Sequence, residues 1–365
     1  MEPPHKPTTW LDRLQQQLKI DIDSMDPAET RKLLPFKPHD QTSNQRLVYE
    51  QLILPENHNL LLAVTKEAKE QGQGWEAILD RMSALLSAQN ISNINPQGII
   101  HLQTSPTQAY STQKTLTHAR SYAHELQKAN IPKNRLCIKI PCTGPALNAA
   151  PILRSEGIRT LATSVFSVPQ AVAAVQAGCW AVSPYFNLPW YHAHDEEWPD
   201  VDDPALEHPM AARVVHIMEA YSKLRDNGME VPLLKVASFK SPREAMAIGE
   251  LGCEHATIPA DIIQQLAAHI LEANPPPGMD SASGSRGVPA RLAHLATRDP
   301  LSESGWARGL ELGEVDYLAD DGAALARAIE EDEATRRGLR EALEGFEGYE
   351  RRSREVILEV LRGFD

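Results

Sequence analysis

The sequence predicts an α/β protein folded as a closed parallel (β/α)8 TIM barrel, with additional N-terminal and C-terminal helices. Three observations carry this. Eight strand-like runs, mostly alternating with helical stretches, fall between residues 19 and 258, the rhythm of a barrel built from β/α units. No G-x-G-x-x-G or P-loop pattern is present, which weakens the runner-up, a doubly wound sheet. The run Leu136-Cys137-Ile138-Lys139-Ile140-Pro141-Cys142-Thr143 holds a lysine within an apolar stretch that Pro141 closes.

Each element has its own signal. Residues 1–7 read as disordered. Trp10, Leu11, Leu14 and Leu18 then share one helical face, with Thr8 or Thr9 as cap. Residues 19–23 alternate as a short strand ending in acids, and a second strand ends near Thr42-Ser43-Asn44. Helical patterns run through 49–70 and 75–87. The third strand is 98–103, and a polar helix over about 112–129 leads to the lysine strand.

Thr143-Gly144-Pro145 opens an alanine-rich helix ending at Gly157. The fifth strand spans 159–165, followed by a short helix over 169–177, and the sixth spans 179–183. An aromatic loop from Tyr185 to Trp198 and a helix around 205–226 precede the seventh strand, 231–237. A helix over 242–251 leads to the eighth, His255-Ala256-Thr257-Ile258. Residues 274–289, rich in Pro, Ser and Gly, form a flexible linker or loop.

Beyond the linker the composition shifts to Ala, Glu, Arg and Leu, with 323–361 strongly helical; Glu330-Glu331-Asp332-Glu333 before Arg336-Arg337 reads as a solvated face. The expected organisation is a tail and helix over 1–18, a barrel over 19–273, the linker, and a helical extension over 290–365 packed on the barrel.

The 365 residues suffice for one large α/β barrel. A net charge of −13 argues against nucleic acid or an anionic membrane as partner, because phosphate binding needs a basic face. No apolar run follows the first residues and no segment could span a bilayer, so a cytoplasmic protein without a secretory signal is expected. Cys137, Cys142, Cys179 and Cys253 form no C-x-x-C pair and read as buried thiols of a reducing compartment.

Strand alternation puts Leu136, Ile138 and Ile140 on one face of the fourth strand and Cys137 and Lys139 on the other. In a barrel the bulky row faces the helices and Lys139 points into the lumen near the C-terminal mouth, where parallel barrels place their chemistry. Burial lowers an amine's pKa toward neutrality and makes it a nucleophile. The alternative is a strand-end lysine that snorkels to water.

Competing constellations are weaker. His192-x-His194 before Asp195-Glu196-Glu197 has the look of a metal cluster, yet it lies in a loop after the sixth strand, so no metal is expected there. Lys235 on the seventh strand is a second candidate nucleophile. Cys142 has no arranged histidine, which disfavours thiol catalysis.

Lys139-Ile140-Pro141, Gly157-Ile158 with Thr163 downstream, Ser183-Pro184-Tyr185 and Ala237-Ser238-Phe239-Lys240 together resemble the transaldolase family, including its fructose-6-phosphate aldolase branch. The likeness is dense from 136 to about 189 and over 236–266, and looser before that. It implies a class I enzyme in which Lys139 forms a Schiff base with a ketose. Asp23 would transfer the proton of the hydroxyl beside the breaking carbon–carbon bond. Thr42 and Asn44 stand in a degenerate T-T-N-P-S motif, where the asparagine contacts the donor. Gln103 occupies the place of a catalytic glutamate in transaldolases and a glutamine in the aldolase branch. Tyr185 is the aldolase branch's tyrosine and would take the acid/base role, with Thr163 helping to hold the catalytic water. Ser183 and Ser238 would line the donor or phosphate side.

The departures concern the phosphate. Leu188 stands where the family has an arginine, Lys240 stands at the second basic position, and Leu161 replaces an asparagine. An arginine clamps phosphate bidentately and leucine offers it nothing. The resemblance therefore implies an aldolase needing no cofactor and acting on a small carbonyl or sugar substrate that is non-standard or unphosphorylated. The alternatives are a housekeeping transaldolase of the pentose phosphate pathway and a catalytically altered barrel serving as a binding protein. A homodimer is a further expectation from the family.

Overall fold

The computed structural model describes residues 7–278, 289–302 and 314–364. Most of the expected N-terminal tail and of the 274–289 linker lies outside the described residues. Eight parallel strands close in sequence order: β1 (Lys19–Ile22), β2 (Gln41–Thr42), β3 (Ile100–Gln103), β4 (Leu136–Pro141), β5 (Arg159–Val165), β6 (Ala181–Pro184), β7 (Leu233–Val236) and β8 (His255–Ile258). Closure comes from β1 pairing with β8, Lys19 opposite His255 through Ile22 opposite Ile258. The TIM barrel is the observed fold.

Alternation along the strands sorts their side chains. Leu136, Ile138 and Ile140 join the main core between barrel and helices, while Cys137 packs inside with Leu161 and Ala181 against Ile99, Trp180 and Leu233. Lys139 shares the inner row, and it sits opposite Gln103 of β3 and Leu161 of β5. The four cysteines are free thiols in buried surroundings. Among the described residues no helix is long and apolar enough to cross a membrane.

Where the observed helices differ from the sequence expectation, proline is usually responsible. The pattern read as one helix over 49–70 is two, Gln45–Leu52 and His58–Glu70, with Pro55 opening the turn between them. Pro209 likewise divides the 205–226 stretch into Pro204–Glu207 and Pro209–Asp226. A proline lacks the N–H that a continuing helix requires and pushes its predecessor out of the helical region. The alanine-rich stretch after β4 is also two short helices, Gly144–Leu147 and Ala150–Ser155. The N-terminal helix Trp10–Gln17 is capped by Thr9 through a reciprocal capping box with Asp12.

The C-terminal stretch is two helices as well, Ala319–Glu331 and Glu333–Arg362. The first is seated where Gly322 meets Gly144: a Cβ on either would collide with the other's backbone. Asp332, expected on a solvated face, caps the second helix and binds Arg213 of the barrel's Pro209–Asp226 helix. Arg213 is 2% exposed. Its guanidinium donates to both Asp332 oxygens (2.9 and 2.7 Å), to Asp299 (3.2 Å) and to the Phe166 carbonyl (3.0 Å). Further along, a Cβ on Gly338 would come within 3.2 Å of the Phe166 ring, and the Glu350 carboxylate accepts from Ser105 at 2.8 Å. The 30-residue helix is thus held across the C-terminal end of the barrel.

Removing one partner of a buried charge cluster leaves the others desolvated and unpaired. Arg213→Met is therefore expected to cost about 3–5 kcal/mol of unfolding free energy, measured by urea denaturation of the full chain. A loss below about 1 kcal/mol, the range of exposed ion pairs, would show that this clamp does not hold the C-terminal helices.

Candidate active site

Lys139 lines a cavity of about 1000 Å³ at the C-terminal ends of the strands, together with Asp21, His101 and Lys235. Its position on β4 follows from the strand's alternation, and its 6% exposure follows from the side chains that surround it. The amine donates to the Thr42 hydroxyl at 3.0 Å and the Ser43 carbonyl at 3.2 Å, both on the backbone stretch that leaves β2. Burial lowers its pKa to about 8, against the partial opposition of nearby Asp23. An appreciable share of neutral amine at physiological pH follows, as a nucleophile requires.

Asp23 follows β1, is tied by its backbone N–H to Ile258 at 3.0 Å, and also lines the cavity. Asn44 lines it too, but its side-chain oxygen caps the helix Gln45–Leu52 by accepting from the Leu47 N–H at 3.0 Å. Its amide N–H groups are what it can offer a ligand. Ser183, beside Thr163 in the β5–β6 register, is a further lining residue.

Tyr185 sits just past β6, with its hydroxyl 3.2 Å from the Thr163 hydroxyl and its ring edge-on to Phe166. Burial raises its pKa, with the Ser164 and Thr163 hydroxyls opposing. The phenol is therefore protonated at neutral pH and able to donate. Ser164 was not singled out from the sequence, because alternation turns it outward. A register shift between Thr163 and Val165 and a φ of 57° at Ser164 turn its hydroxyl toward the Tyr185 side of the strand, where it is buried without a hydrogen bond. Bulges re-aim side chains in this way, and a non-glycine residue held at positive φ marks a position that the surroundings over-determine.

Other expected site residues are placed differently. Gln103 neighbours Lys139 in register, but its amide donates to Gln45 at 2.9 Å and its side-chain oxygen is buried without a partner. It does not line the cavity, and neither does the fully buried Thr163. Leu188 is 0% exposed and belongs to the main core, so it offers no contact to a ligand. Lys240 reaches the cavity wall, yet its amine is engaged by the Tyr191 carbonyl and Asp195 and lies 4.7 Å over the Trp198 ring. Ser238 donates to the Asn187 carbonyl at 2.8 Å and accepts from His192 at 2.8 Å.

The competing constellations separate on the same grounds. Lys235 is also in the lumen, 1% exposed, but its amine lies 2.8 Å from Asp21 and 2.7 Å from Asp40. Burial alone would lower its pKa; the two carboxylates outweigh burial and raise it, so it stays an ammonium. Among the described residues the one group of atoms spaced to hold an ion is Asp21, His39 and His255, where Lys235 already supplies the positive charge. His192 is spent on Ser238, and His194 lies 3.5 Å from Glu196. Burial pushes the Cys142 thiol well above its ordinary value.

The upper wall comes from a part of the chain the sequence did not mark. Glu341, Ala342, Glu344, Gly345, Phe346 and Tyr349 of the helix Glu333–Arg362 line the cavity. The only sequence signal was their helical spacing, which reads equally well as packing.

Known proteins resemble this chain in the same region. A family model described as Transaldolase/Fructose-6-phosphate aldolase matches residues 20–296. A transaldolase of Actinobacillus succinogenes is 27% identical over 271 residues, covering 71% of this chain and 79% of its own. One from Prochlorococcus marinus is 26% identical over 70% of this chain and 74% of its own. One from Vibrio cholerae is 25% identical over 314 residues, or 84% of this chain and 93% of its own.

The lowered pKa of Lys139 has a sign that is open to measurement. Reductive labelling by a small carbonyl compound uses the neutral amine, so labelling of Lys139 should rise with pH and level off above about 8. Peptide mass spectrometry reads the site. A rate still climbing toward about pH 10.4, as for an ordinary lysine, would mean the amine is not desolvated.

Proposed function

The chain belongs to the transaldolase/fructose-6-phosphate aldolase family and is an enzyme of the transaldolase or class I aldolase type, and from that premise we propose that it works through a Schiff base on Lys139 with a hydroxyketone donor such as dihydroxyacetone. The observation that supports this most directly is a buried amine of lowered pKa in the cavity wall, near Asp23 and 3.0 Å from the Thr42 hydroxyl.

The neutral Lys139 amine adds to the donor carbonyl, and loss of water leaves a protonated imine. That imine is an electron sink for the neighbouring carbon. In the cleavage direction the hydroxyl beside the breaking bond gives up its proton, the carbon–carbon bond breaks, and its electron pair stays on the donor carbon as an enamine. Asp23 is the group assigned to move that hydroxyl proton. In the synthetic direction the enamine carbon attacks an aldehyde, whose oxygen takes up a proton. Hydrolysis of the imine then frees Lys139. Tyr185, protonated and backed by Thr163, is assigned to the proton and water steps at the imine. Gln103, turned to Gln45, supports the site through packing.

The substrate reading follows from the basic groups. Leu188 is in the core and Lys240 is held by its own loop, which favours a substrate that is not an ordinary sugar phosphate. The second reading, transfer of dihydroxyacetone between sugar phosphates, is favoured by the relatives, which carry the name transaldolase.

Borohydride trapping with dihydroxyacetone, hydroxyacetone and fructose 6-phosphate tests both readings. A reduced adduct on Lys139, absent from Lys139→Met, is expected with the unphosphorylated donors. An adduct on Lys235 or none at all would overturn the assignment, and efficient trapping by fructose 6-phosphate alone would favour the second reading.

A further inference from the structure

The backbone stretch that holds Lys139 also carries an uncommitted cation. Thr42 and Ser43 bind the Lys139 amine, and Arg46, shortly after them in the chain, lines the same cavity. The segment between is fixed. Gln45 donates to the Gln103 and Thr104 carbonyls at 3.2 and 3.0 Å, and Leu47 and Val48 are buried in the packing behind it. Arg46 therefore projects from a well-anchored first turn of the helix Gln45–Leu52.

The other basic amines of the cavity are occupied. Lys235 lies between Asp21 and Asp40, Lys240 is held by Asp195 and the Tyr191 carbonyl, and Lys139 is bound to Thr42 and Ser43. Arg46 has only Glu50 nearby, and the closest approach, from Nε, is 3.9 Å between two side chains that are 44% and 47% exposed. That is longer than a hydrogen bond, and an exposed pair of this kind holds little. Among the described residues the guanidinium thus has no hydrogen-bonded partner, and its fork is free to meet two oxygens of a ligand.

Helix stability does not account for an arginine at this place. The first turn of a helix disfavours a cation, and an acid four residues after a base is the poorer order for a pair on one helix face. A separate observation turns the guanidinium toward the cavity. His192 is held at a pKa of about 4 by burial, by Lys240 and then by Arg46. His192 follows β6, which the barrel order sets opposite β2, so the charge of Arg46 is felt across the mouth. Glu341, Glu344 and Asp261 line the cavity as well, with Glu341 drawn off by Arg337 at 2.7 Å. An anion entering past these acids finds its open clamp at Arg46.

We propose that Arg46 selects the acceptor: its guanidinium binds a terminal oxyanion, carboxylate or phosphate, at the far end of the aldehyde whose carbonyl carbon meets the enamine on Lys139. This rests on the Schiff-base reading above. The enamine carbon bonds to the aldehyde carbon, the aldehyde oxygen takes one proton, and water frees the product from Lys139. The oxyanion is unchanged throughout, and neither Leu188 nor Lys240 is needed to hold it.

The full-length protein would be given dihydroxyacetone with two pairs of acceptors, and product formation followed by mass spectrometry. Glyceraldehyde 3-phosphate is set against glyceraldehyde, and succinic semialdehyde against pentanal. A charged acceptor is expected to exceed its neutral partner about tenfold or more in kcat/KM, the worth of a hydrogen bond to a charged group. Arg46→Met should cut that ratio by about the same factor, chiefly through KM. Arg46→Lys keeps the charge without the fork and should cut it less. The ratio is internal to each variant, so a partly unfolded preparation does not alter it. Preference for the phosphate points to sugar phosphates and preference for the carboxylate to oxo acids; either supports the clamp when Arg46→Met abolishes it. A charged-to-neutral ratio near one in the unaltered protein, or a preference that survives Arg46→Met, overturns the assignment while leaving the Lys139 adduct in place. Failure of dihydroxyacetone to label Lys139 under borohydride instead overturns the Schiff-base reading, and this inference with it.

Discussion

Two lysines project into one barrel, and the placement of carboxylates decides what each can do. Lys235 lies between Asp21 and Asp40 within 2.8 Å of both, with His39, His101 and His255 around the same pair. Burying that many charges is tolerable only because each finds an opposite partner at hydrogen-bonding distance. The cluster draws on β1, β3, β7, β8 and the residues leading into β2, so it ties together strands from both sides of the barrel seam. Lys139 receives no such partner. Thr42 and Ser43 give it two neutral oxygens, enough to fix the amine but not enough to hold its charge. Burial therefore lowers one pKa and, through the carboxylates, fails to lower the other.

The same logic explains why the mouth of the barrel is closed by a helix that begins far away. The Arg213 guanidinium is buried beneath it and can remain so only while Asp332 and Asp299 are in place. That obligation holds the start of Glu333–Arg362 over the barrel, and Glu350 on Ser105 holds a later turn. Between these anchors the helix has no freedom to withdraw its inner face, so Phe346 and Tyr349 become walls of the cavity. Stability at the helix ends and the shape of the site between them are one arrangement.

The periodic parts of this molecule were legible in the sequence. The bounds of β5 and β8 and of the helix Pro242–Leu251 agree with the runs read from the residues, and Lys139 faces the lumen as alternation requires. What escaped were features set by contacts between distant segments. Nothing local distinguishes Asp21 as the partner of Lys235, 214 residues away. Asp332 stood in a run of acids that looked solvated, and only the fold brings Arg213 to it. Ser164 is turned inward only by a bulge, and a single irregular φ is invisible to a period-two pattern. Gln103 lies opposite Lys139 in register, yet its hydrogen bond to Gln45 depends on a helix whose approach the sequence does not specify.

The loop after β6 shows how a cation at a cavity wall can be engaged by its own surroundings. After β6 the chain places Leu188 in the core, and Phe186 stacks on His208 with ring centroids 4.2 Å apart. Trp198 donates to Glu244, and Lys240 then closes the loop by reaching the Tyr191 carbonyl and Asp195. A cation used to hold its own loop is no longer offered to a ligand, because each ammonium proton spent on a carbonyl or carboxylate is one fewer for phosphate. Freeing Lys240 would unpin the loop whose packing keeps Leu188 buried. The leucine and the lysine are therefore coupled through the loop between them. The cavity draws on two parts of the chain, the strand termini with their buried amine on the barrel side and the loop after β6 with the C-terminal helix on the other.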